Sequence, residues 1–138
     1  VSKIFNEEKF LKNGKTPWIS NSLALFFILL NEAAYHSRYS KNDKKNAVNS
    51  KDWDVPYWYV DAGAAMMNCI LLIEEQGLSS GFMGLHNVDR KKIHDEFKIP
   101  DTHQIIGMIT AGVEDHITGK SKNKHTKRKL THNELFNR

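Results

Sequence analysis

Three groups of residues in this chain have types and spacings that suit chemistry. The first is basic. Lys120, Lys122, Lys124, Lys127, Arg128 and Lys129 crowd the C-terminal end, and they more than account for the formal net charge of +4. Such a cluster suits an anion such as a phosphate, and in an extended segment Lys127 and Lys129 point to one side together. A solvated basic tail is the alternative, and both readings stay open. The second group is aromatic: Trp53, Tyr57 and Trp58, with Pro56 and Tyr59 beside them. Rings so placed build a core, an interface or a wall against a ligand. The third is Gly81-Phe82-Met83-Gly84. Glycines at that spacing let a ligand or another backbone lie close to a strand, or they relieve its packing.

Other chemistries find less support. The seven histidines (His36, His86, His94, His103, His116, His125 and His132) are scattered, with no pair at metal-ligand spacing on a clear helix, so no metal site is expected. No glycine-rich phosphate loop of the Rossmann or P-loop form occurs. A Ser-His-Asp triad cannot be argued from scattered residues. Cys69 is the single cysteine and sits in an apolar run, which points to an inert buried thiol in a reducing compartment, the cytoplasm. The longest apolar run, from Leu23 to Leu30, is too short for a membrane span. No signal-peptide order of basic, apolar and small residues opens the chain.

The elements that must position these groups follow from patterning. With 40% apolar and 26% charged residues in 138, residues 1–138 suit a single globular domain. Ile4, Phe5, Phe10 and Leu11 suggest a short helical face, and Asn13-Gly14 with Pro17 suggests a turn. The run from Ser22 to Leu30 reads as a strand buried on both faces, with a buried helix as the alternative. Residues 36 to 54 show no period and are expected to form a long surface loop. Asp61 is placed to cap a helix from Ala62 to Gln76. That helix is apolar nearly all round, so it is expected to be central and buried, with Met66 and Met67 in the core. Gly77 suits its C-terminal turn. A short strand over Leu78 to Leu85 comes next. Asn87 or Asp89 then starts a helix that carries Ile93 and Phe97 and stops by Pro100. Another buried strand, from Gln104 to Val113, follows.

This order resembles the C-terminal two-thirds of the nitroreductase family. Tyr59-Val60-Asp61-Ala62-Gly63-Ala64-Ala65, continuing to Gly77-Leu78, looks like the central helix of that family. Gly77-Leu78-Ser79-Ser80-Gly81-Phe82-Met83-Gly84 looks like its strand beside the flavin. Ile106-Gly107-Met108-Ile109-Thr110-Ala111-Gly112 looks like the strand before its C-terminal extension, and Lys127-Arg128-Lys129-Leu130 looks like its basic motif.

The resemblance implies an α+β fold with a mostly antiparallel central sheet, flanking helices and a buried central helix. It implies a homodimer holding FMN. Met83 and Gly84 would meet the flavin ring, Lys127, Arg128 and Lys129 its phosphate, and Trp53, Tyr57 and Trp58 the substrate. NAD(P)H would supply electrons for a small-molecule acceptor such as a nitroaromatic or a quinone. The family's N-terminal arginine-serine motif and its asparagine-containing segment have no counterpart here, so the N-terminal part of the domain is expected to lie ahead of Val1. Two rivals remain: a flavin-free structural relative, and a nucleic-acid-binding module built on the basic tail. The second would show affinity falling steeply with salt, but the tail lacks interleaved aromatics.

Overall fold

In the computed structural model, described over residues 1–44 and 48–114, the organising element is the last strand. β3 (Gln104–Gly112) takes an antiparallel partner on each side, β1 (Ala24–Leu30) and β2 (Ser79–Gly84), in the order β1-β3-β2. Ile105, Met108 and Ile109 of β3 are almost wholly buried. The strand buried on both faces is therefore β3. The wholly apolar β1 is an edge among the described residues, with Phe26 and Leu29 partly open to solvent. Apolarity marks a strand as sheet-forming but does not say how many partners it takes.

Helices cover both faces. α3 (Tyr57–Glu75) lays Met66, Cys69, Ile70 and Ile73 against Ile109 and Ala111. On the other face Phe5, which leads into α1 (Glu7–Lys12), and Ile93 of α4 (Arg90–Phe97) pack with Ile105 and Met108. Asp89 caps α4 by accepting from the Lys92 N–H at 3.3 Å. Lys98 in the left-handed region closes it ahead of Pro100. The expected α+β architecture is present.

Three expectations change. First, residues 36 to 54 are not one loop. α2 (Glu32–Tyr39) enters the segment, and single 3-10 turns form at Asn42–Lys44 and Ser50–Asp52. Asn31 caps α2 through the Ala34 N–H. The period was hidden because only Tyr35, His36 and Tyr39 face inward, and each is only half-buried. Second, α3 starts at Tyr57, just after Pro56, so Asp61 lies inside the helix and caps nothing. The aromatic start of α3 has poor intrinsic helix propensity. Packing of Trp58 against Leu30 and Ala62 overrides it. Third, α3 buries only one side. Cys69 is half-buried, and Met67 is exposed. Gly77 does end the helix, at φ +74°, with Gly77 N–H to Glu74 and Leu78 N–H to Ile73 in a Schellman arrangement.

No helix among the described residues is long and apolar enough to cross a membrane. The N-terminal segment is pinned by a group that no pattern announced. Glu7 is buried, and its carboxylate accepts the Ile19 and Ser20 N–H groups at 2.8 and 3.0 Å. Replacing it by alanine strands two backbone donors, so Glu7→Ala should cost about 3 kcal/mol in urea unfolding. Glu7→Gln, which keeps an acceptor oxygen, should cost clearly less.

Candidate functional site

The first candidate lies on the outer edge of β2. Its alignment starts at the α3 exit. The Glu74 carboxylate accepts both the N–H and the hydroxyl of Ser80, each at 2.7 Å. Those bonds hold the carboxyl below the usual glutamate range. They also show that the Ser80 N–H points away from β3. Amides alternate in direction along a strand, so the N–H groups of Phe82 and Gly84 face outward too. Gly81 and Met83 face inward: the Gly81 carbonyl accepts from Thr110 Oγ1, and the Met83 carbonyl lies 3.0 Å from where a Cβ on Gly107 would sit. Among the described residues β2 pairs with β3 alone, which leaves the Gly84 amide on an unpaired edge.

A cleft of about 430 Å³ opens beside this edge, lined by Phe5, Lys9, Phe10, Met83, Gly84 and His86 among others. Aromatic and thioether side chains supply apolar lining, and lysines and a histidine supply polarity. Gly84 lies close under the exposed His86 ring. A Cβ there would stand 3.0 Å from His86 Nε2 and 3.3 Å from its Cδ2.

The second candidate is aromatic and joins α2, the segment before α3 and α3 itself. Trp53 stacks on Trp58 with centroids 6.3 Å apart, and meets Tyr57 edge-on at 5.4 Å and Tyr39 at 4.6 Å. Tyr35 and His36 close on Trp58. The three sequence-predicted residues Trp53, Tyr57 and Trp58 thus come together, but in different roles. Tyr57 is exposed, Trp53 is half-buried and Trp58 is core. The Trp58 indole N–H is buried with no acceptor among the described residues. Loss of that donor offsets loss of volume, so Trp58→Phe should change stability by less than about 1 kcal/mol, whereas Trp58→Ala should cost about 3–5 kcal/mol in thermal or urea unfolding.

Two hydrogen-bonded contacts hold this corner. The Tyr35 hydroxyl donates to Asp61 at 2.6 Å, and that bond to a carboxylate pushes the phenol up to about 12. His36 meets Ser50 through Nδ1 at 2.8 Å and Glu32 through Nε2 at 3.3 Å. Ser, His and Glu in a row suggest a nucleophilic triad, but Ser50 is buried and cannot reach a substrate. The contact ties residues 48–52 to α2. These partners are 14 and 26 residues apart, and no local pattern signals such pairs.

Met83 and Gly84 share one cleft, and the aromatic cluster forms another. Both lie toward the same end of the sheet: Gly84 pairs with Gly107, and Leu30, under Trp58, pairs with Gln104. Lys127, Arg128 and Lys129 lie outside the described residues.

Comparison with known proteins gives the class of this sheet and its long helix. The family model for the nitroreductase family matches residues 4–113. This chain belongs to the nitroreductase family. Its fold is similar to that of a nitroreductase family protein from Streptococcus pneumoniae, at TM-score 0.54 and 19% identity, covering 74% of this chain and 60% of that one. It is also similar to NfrA1 of B. megaterium, at TM-score 0.56 and 17% identity, covering 95% and 55%. The chain therefore spans little more than half the length of these structures. No curated protein sequence matches it.

Proposed function

We propose that this chain is the larger part of an FMN-dependent oxidoreductase that takes electrons from NAD(P)H and passes them to a small-molecule acceptor, a nitroaromatic or a quinone. The observation that carries the reading is the Gly84 amide, left facing outward on an unpaired strand edge beside a cleft of the right character. A flavin ring needs backbone donors near its redox-active nitrogen and apolar surface against its faces, and a Cβ at this position would obstruct the approach. The residues present fit that requirement.

FMN, when bound, supplies the electron transfer itself. The chain supplies placement. Gly84 N–H would donate to the ring, and the Met83 side chain and Phe10 would give it apolar contact. Lys127, Arg128 and Lys129 neutralise the phosphate. Tyr57 and Trp53 face the substrate, and Trp58 backs them. No side chain is required as a general acid or base.

A homodimer is part of the proposal. Val60, Ala64, Met67 and Leu71 recur at helical spacing on the side of α3 away from the sheet, and Val60, Met67 and Leu71 are 52%, 52% and 58% exposed. A stripe of that kind suits a second copy of the chain.

The test is an absorbance spectrum of the purified full-length protein before and after adding FMN. A stoichiometric yellow chromophore that NAD(P)H bleaches supports the reading. A colourless protein that ignores FMN would leave a flavin-free relative of the family.

A further inference from the structure

We propose that the aromatic corner between α2 and the start of α3 binds an organic cation of the methylated-ammonium class. Tyr39, Trp53 and Tyr57 wall one cleft of about 560 Å³. Trp53 meets Tyr39 at 83° and Tyr57 at 87°, both edge-to-face, so the three rings line the cleft at steep angles to one another. Rings so arranged present electron-rich faces to a cation, the arrangement that recognises quaternary ammonium groups. Asp52 and Asp54 complete the lining, with Val48 and Val55, and among the described residues no lysine, arginine or histidine lines the cleft.

Three further observations favour a cation. Neither Asp52 nor Asp54 has an ion-pair partner among the described residues. The nearby Arg38 is already committed to Asp43, with bonds of 2.9 and 2.7 Å. One ring at this corner already draws a cation from the chain itself: Lys44 Nζ sits 5.3 Å from the Tyr39 centroid. The cleft is also preorganised. Trp53 donates its indole N–H to the Val48 carbonyl at 3.3 Å and is backed by Trp58. Val48, Val55 and Tyr57 are exposed around it. Apolar walls favour methyl groups over a hydrated ammonium. A metal ion is the poorer fit, since rings and valines offer it no ligands.

This cleft adjoins the aromatic wall read above as the substrate side. As a statement about substrate it rests on that reading; as a binding site it does not. The experiment is calorimetric titration of the full-length protein with choline and with its neutral carbon isostere, in which a tert-butyl group replaces the trimethylammonium. Choline should bind saturably and at least about tenfold more tightly than the isostere. The double variant Asp52→Asn/Asp54→Asn, at exposed positions that leave the core intact, should weaken choline several-fold and leave the isostere unchanged. Trp53→Ala should abolish binding. No saturable heat with choline, equal affinity for the isostere, or an unchanged affinity in the double variant would overturn the proposal. Flavin content, read by absorbance on the same samples, reports separately on the oxidoreductase reading.

Discussion

Leu71→Glu should turn the proposed dimer into a folded monomer. Leu71 is 58% exposed, ends the apolar stripe of α3 and belongs to none of the buried clusters. The charge therefore costs the protomer little. In a two-fold interface the same residue enters from both copies, so each association buries two carboxylates with no counter-charge. An unpaired buried charge costs about 3–5 kcal/mol. The dimer dissociation constant should rise at least about a thousandfold. Sedimentation velocity reads the outcome, and circular dichroism confirms that the helices survive. A variant that stays dimeric would show that this stripe is not the interface.

Gly84→Val should weaken the proposed binding of FMN without unfolding the protein. The added Cβ meets the His86 ring at 3.0 Å, and the branched side chain adds bulk beside the Gly84 amide. A β-branched residue suits the end of an edge strand, so stability should hold. The backbone N–H survives the substitution, so displacement of the ring from that donor is what should weaken FMN, about 10- to 100-fold, measured by fluorescence titration. The double variant Gly84→Ala/His86→Ala separates the two causes. Removing the imidazole makes room for the methyl, so it should recover much of the affinity that Gly84→Ala loses. If Gly84→Val binds FMN as tightly as the parent, the flavin does not approach this edge.

Much of the architecture was legible from local chemistry. Gly77 at the α3 exit, Asp89 at the α4 start, and the strands around Gly81 and Met108 all appear where short-range rules put them. Those rules depend on neighbours in sequence: a positive φ, a capping oxygen, a run of apolar side chains. The start of α3 and the presence of α2 did not follow, because tertiary packing decided both. Trp58 overrides a poor helical opening, and α2 shows the core only three half-buried side chains.

The same boundary runs through the candidate sites. Sequence by itself determined an α+β chain whose residues resemble the nitroreductase family, with Met83 and Gly84 on a strand and Trp53, Tyr57 and Trp58 in one aromatic group. Only the tertiary structure decided that β3 rather than β1 is central, that the Gly84 amide faces outward while Met83 faces the sheet, and that Tyr39 joins Trp53 and Tyr57 around a cleft with two aspartates. It also brought Glu7 to the Ile19 and Ser20 amides and Tyr35 to Asp61. The physical reason is separation along the chain. Pattern reports what a residue does to its own helix or strand, whereas pairing order, edge direction and side-chain contacts between distant segments exist only once the chain has closed on itself.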